Sequence, residues 1–144
     1  MTVEEKSDKL VIIFLVCLTA LILPLILIPL ERFAPYPYVI EEIVKATLIY
    51  VILKNSSRQN QLKLSLVAAF LFALSENIFY STNFIIGGIL NSFWQRFMLT
   101  TSLHLLTAVI ILLPSQKKLK LIVPATIFAM AIHYFYNQFV LLVF

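Results

Sequence analysis

The sequence predicts an all-α, polytopic bundle of about five transmembrane helices, with the N-terminus inside and the C-terminus outside. Three observations predict it. The chain is 61% hydrophobic and only 12% charged over its 144 residues. Apolar runs of about 18–25 residues recur along it, long enough to cross a hydrocarbon core. Its basic residues gather in alternate connections between those runs, the pattern that positive-inside insertion produces. The connections are too short for a second fold, so residues 1–144 read as one integral-membrane domain. The net charge of +4 comes from short loops and gives no nucleic-acid-binding surface.

The first span is expected over about residues 10–30. Lys6 and Lys9 precede it, a layout shared with signal peptides. The run is longer than a typical signal-peptide core and no small-x-small cleavage site follows, so it reads as a retained helix. Pro24 and Pro29 are expected to kink or end it. Cys17, the lone cysteine, cannot form an internal disulfide and reads as a packing residue. Glu31-Arg32 and Pro35-Tyr36-Pro37-Tyr38 make a short connection.

The second span, about residues 38–53, is the anomalous one. It carries Glu41, Glu42 and Lys45, and each charge costs about 2.5–3.5 kcal/mol to insert. Its Val, Ile and Leu residues return only about 3–5 kcal/mol in total. Alone it should insert poorly, so other helices must compensate it. Polar residues 54–63 read as a loop, and residues 64–80 as the third span. Residues 81–92, with Gly87-Gly88, form the next connection. The fourth span is about 93–113, a turn follows at 114–120, and the fifth runs over 121–144. Lys6, Lys9, Lys54, Arg58, Lys63, Lys117, Lys118 and Lys120 fall on one side, and only Arg32 and Arg96 on the other. The crowded side is expected in the cytoplasm.

With that topology, ionisable groups on four helices reach similar depth, from the bilayer centre into its outer half. They are Glu41 and Glu42, then Glu76 with Asn77, then His104, then His133 with Asn137. Glu41 and Lys45 share a helical face, as do His133 and Asn137. Arg96, Thr100, His104 and Thr107 form a polar stripe at about 100° per residue. Facing lipid, that stripe would be costly; facing the other helices, it completes a polar pocket. Each residue alone has a plainer reading. The Glu41/Glu42/Lys45 cluster reads as an interfacial ion pair, Glu76-Asn77 as a helix end, the histidines and Asn137 as interhelical hydrogen bonds, and Arg96 as an outer headgroup anchor. Their shared order, depth and face favour a functional site.

A carboxyl group removed from water favours its neutral form, and a neighbouring ammonium opposes this. Two glutamates beside Lys45 can therefore divide into a base and an acid, which hydrolysis near neutral pH needs. His133 or His104 can orient the attacking water, and Asn137 can donate to a developing oxyanion. No serine or cysteine is convincingly placed as a nucleophile.

Taken in order on successive helices, Glu41-Glu42-x-x-Lys45, Phe72-x-x-x-Glu76-Asn77, His104 and His133-x-x-x-Asn137 resemble the PrsW family. That family belongs to a wider group of intramembrane proteases that includes the CAAX prenyl endopeptidases. The resemblance covers about residues 38–137, the protease-like core. It implies hydrolysis of a peptide bond in a membrane-anchored protein near the outer side of the bilayer, in the plasma membrane of a prokaryote. It implies Glu41, Glu42, Glu76 and His133 as catalytic, with Lys45, Asn77, His104 and Asn137 in support. Metal-free chemistry by two glutamates is favoured, since no HExxH motif is present. If zinc is used, Glu76, His104 and His133 are the expected ligands. Two other classes compete: a proton-coupled transporter with a Glu/His relay, and a non-enzymatic membrane partner on the same scaffold. The first calls for repeats or broken helices, and the second for a lost carboxylate or histidine; the sequence shows neither. Substrate identity and oligomeric state are left open.

Overall fold

The computed structural model describes the backbone of residues 3–31, 33–86 and 90–143. Arg32, Gly87 and Gly88, which the topology and the third connection draw on, lie outside the described residues. The described chain forms five helices: α1 (Val3–Glu31), α2 (Pro37–Asn55), α3 (Arg58–Ile86), α4 (Leu90–Lys117) and α5 (Ile122–Val143), with a single 3₁₀ turn at Leu119–Leu121 before α5.

Among the described residues, four segments are long and apolar enough to span a membrane: Lys9–Pro29, Arg58–Ser81, Phe93–Lys117 and Leu119–Val140. Their outer faces carry exposed Phe14, Leu25, Phe128 and Phe135 among other large apolar side chains. A surface of that kind belongs in lipid, and the protein is an integral membrane protein. α2 fails the same test because Glu41, Glu42 and Lys45 crowd one short helix. Its place in the bundle supplies the compensation. α2 packs against α1, α3, α4 and α5, so the four apolar helices wrap the charged one.

Two buried clusters hold the wrap together. Ile49 of α2 meets Ala69, Ala108, Ile111, Leu112 and Ala129. The alanines, one each from α3, α4 and α5, let the backbones approach closely, which is how membrane helices gain packing energy. Leu48 and Ile52, on a neighbouring face of α2, meet Val16 and Ala20 of α1 and Ala68 of α3.

The helices overrun the expected boundaries. α1 continues through Pro24 and Pro29; Pro24 is fully buried, and packed neighbours support a proline within a membrane helix. Residues 58–63 are the first turns of α3 rather than a loop. The Ser57 carbonyl accepts from the Asn60 and Gln61 amides at 2.8 and 3.1 Å. The Gln61 side chain donates to the Leu53 and Ser56 carbonyls at the end of α2 and accepts from Gln116 of α4 at 3.0 Å. Likewise α4 runs past Pro114 to Lys117. The Ser115 hydroxyl donates to the Ile111 carbonyl at 2.6 Å, and the Lys118 amide closes on the Pro114 carbonyl at 3.1 Å. Both ends are polar, so their composition suggested loops, but each is satisfied as helix.

Candidate active site

The charges of α2 find partners on two other helices. Lys45, 2% exposed, donates to Oε1 of Glu42 at 2.6 Å and to the Thr107 hydroxyl of α4 at 2.7 Å. Thr107 passes its own proton toward the His104 carbonyl at 3.3 Å. Oε1 of Glu42 also lies 2.8 Å from Nδ1 of His133 on α5. A continuous chain Thr107–Lys45–Glu42–His133 therefore ties α4, α2 and α5 together. Every member is buried. Desolvating such ions is costly, and the hydrogen bonds to Oε1 of Glu42 offset part of that cost, while its Oε2 is buried without a hydrogen-bond partner among the described residues.

A second pair joins α3 to α4. Nε2 of His104, itself fully buried, lies 2.7 Å from Oε2 of Glu76. The His104 ring rests between Phe72, at 5.3 Å between centroids, and His133, at 5.6 Å. Nε2 of His133 is 3.7 Å from Oε2 of Glu41. The two networks thus meet at the histidines. Four helices bring Glu41, Glu42, Glu76, His104 and His133 to one place.

Beside this cluster is a cavity of about 330 Å³. Glu41, Glu76, His133 and Asn137 form part of its wall, together with Tyr80, Arg96, Thr100 and Tyr136. Glu42, Lys45 and His104 stand behind that wall. Asn77 is buried elsewhere, with its amide donating to the Ala73 carbonyl of its own helix at 2.8 Å. Arg96, read from the sequence as a headgroup anchor, lines the cavity. Its guanidinium carbon lies 4.3 Å from the centre of the Tyr80 ring. Tyr136, whose hydroxyl is 2.7 Å from that of Thr100 in the α4 stripe, is a cavity residue that the sequence analysis did not name. The signal for Tyr136 was present: His133, Tyr136, Asn137 and Val140 all line the cavity and follow the spacing of one helical face. Among the described residues the wall holds no serine or cysteine.

Ligand atoms of Glu41, Glu76 and His104 lie within 4.8 Å of one another, a spacing that small side-chain rotations would close to the bonds of about 2 Å that zinc makes. Two carboxylate oxygens and one imidazole nitrogen suit zinc or a similar divalent metal and leave a coordination position open. The residues therefore fit such an ion. The sequence suggested His133 where this trio has Glu41; Nε2 of His133 lies 3.7 Å from Oε2 of Glu41, beside the same group.

A family model described as "PrsW family intramembrane metalloprotease" matches residues 32–143, most of the chain. The matched stretch contains every residue of the cluster and of the cavity wall except Ile28. No curated protein and no solved structure matches the chain.

Proposed function

The chain belongs to the PrsW family of intramembrane metalloproteases, and from that premise we propose that it hydrolyses a peptide bond of a membrane-anchored protein near the outer face of the membrane. One observation carries the reading: acid, base and ligand groups from four helices converge beside one cavity.

Glu41, Glu76 and His104 would hold a divalent ion. Such an ion supplies Lewis acidity toward a carbonyl oxygen and toward water. His133 lines the cavity and moves the proton, taking it from water and returning it to the departing amine. Glu42 fixes the tautomer and tilt of the His133 ring through Nδ1, as a buried carboxylate does for a catalytic histidine elsewhere. Lys45 and Thr107 hold Glu42 in turn. Asn137 and the Tyr136 hydroxyl are the donors placed to meet negative charge developing on the carbonyl oxygen. Asn77 braces α3 beside Glu76. The sequence favoured glutamates working without metal. The close ligand trio and the family description support the metal reading instead, and we adopt it.

The metal assignment has a direct test. Purified protein should contain about one equivalent of a divalent transition metal per chain. Glu76→Gln and His104→Ala should each lose it, and a strong chelator should stop cleavage until metal is restored. Full activity in metal-free protein would return the chemistry to the glutamates alone.

We place α2 as a fifth span, with the N-terminus in the cytoplasm, the C-terminus outside, and the protein in a prokaryotic plasma membrane. The eight-to-two basic asymmetry supports the orientation. In a Cys17→Ala background, cysteines introduced at the exposed Ser57 and Lys118 should label only from the cytoplasmic side, and one at Phe33 only from outside. Outside labelling at Ser57 would reverse the topology.

A further inference from the structure

We infer that Arg96 forms a carboxylate-binding subsite of the cavity, so that the favoured substrates carry a carboxylate beside the scissile bond. This rests on the protease reading above and adds a substrate class to it.

Arg96 is half-buried within a membrane-spanning helix and lines the same cavity as Glu41, Glu76 and His133. An intramembrane arginine is costly and ordinarily pairs with another group. Here Nε is buried with no hydrogen-bond partner, and no ion pair to the guanidinium is found among the described residues. It lies over the Tyr80 ring at 4.3 Å, and Glu76 and Tyr136 of the same wall feel its charge. A cation–π contact with that ring uses none of the guanidinium's N–H donors, which stay available for another group.

The charges of the cluster point the same way. Lys45 and Glu42 form an ion pair at 2.6 Å and neutralise each other. Glu41 and Glu76 carry the charge that one divalent ion would balance. Arg96 is then the cation left over. A planar guanidinium with its donor edge open to a low-dielectric cavity matches a carboxylate, which it can meet through two parallel hydrogen bonds. The carboxylate has two sources in a peptide substrate: an Asp or Glu side chain next to the cleaved bond, or a free C-terminus a short distance beyond it.

The test uses the full-length protein in proteoliposomes and matched membrane peptides. One set has an Asp or Glu beside the bond and an amidated C-terminus. A second has Asn or Gln there and a free C-terminus. A third has neither carboxylate. Wild type should cleave one of the first two sets about 10- to 100-fold better in kcat/KM than the third, the range for a hydrogen bond to a charged group, with the difference mainly in KM. Which set wins identifies the source. Arg96→Gln should bring that ratio close to one. Arg96→Lys, which keeps the charge and loses the planar fork, should give an intermediate ratio and guards against a folding failure of the first variant. A ratio near one in wild type, or a large ratio that persists in Arg96→Gln, would overturn the subsite while leaving proteolysis intact.

A binding arm separates the two ideas. Uncleavable product peptides, with and without the carboxylate, are titrated into the metal-loaded protein. Wild type should prefer the acidic peptide and Arg96→Gln should not. If wild type cleaves nothing yet shows this preference, the protease reading fails and the subsite stands. Equal affinity for both peptides removes the subsite.

Discussion

His133→Ala is expected to lower kcat by about 10²- to 10⁴-fold, the usual worth of a positioned general acid–base, while the protein stays folded and keeps its metal. His133 lines the cavity but is not one of the three residues whose ligand atoms cluster. Glu76→Gln should remove activity and metal together. Parallel turnover assays and elemental analysis of the two variants separate the proton-moving role from the ligand role. Turnover by His133→Ala within a few-fold of wild type would remove the histidine from the mechanism.

Lys45→Met is expected to be the most damaging substitution for stability. It leaves Glu42 fully buried with an unbalanced charge, and breaking a buried pair from one side costs about 3–5 kcal/mol. That is a large share of the about 5–15 kcal/mol by which most folded domains are stable. Lys45→Met combined with Glu42→Gln removes both charges and should recover much of the loss, although His133 then lacks its carboxylate and cleavage should remain low. Thermal unfolding in detergent micelles reads the effect. A single variant as stable as wild type would contradict the burial and pairing of Lys45.

The glutamates of α2 were legible because their insertion cost cannot be hidden in a sequence. Three charges in a short apolar segment require protein around them, and α2 proves to be the helix that all four others touch. The inward stripe of α4 was legible too: Thr100, His104 and Thr107 are all buried. Which group pairs with which was not. The Glu76–His104 contact depends on how far α3 slides along α4, which the sequence of either helix alone does not reveal. Asn77 follows Glu76 directly, so it points about 100° away and spends its amide on its own helix. Arg96 sits near one end of its span, which suggested the headgroups. It also continues the stripe of Thr100 and His104, and that face puts it in the cavity wall beside Thr100. Polar residues 58–63 and 115–117 looked like loops because composition does not reveal the side-chain bonds of Gln61 and Ser115 that extend the helices.

The most direct test of the account is cleavage itself. Wild type and Glu76→Gln are reconstituted in proteoliposomes with a library of single-span membrane proteins, and the products are mapped by mass spectrometry. Wild type should produce paired fragments whose new termini lie near the outer face of the membrane, and Glu76→Gln, folded and inserted, should produce none. Equal cleavage by both proteins, or no cleavage by wild type together with proton flux that depends on Glu42, would contradict it.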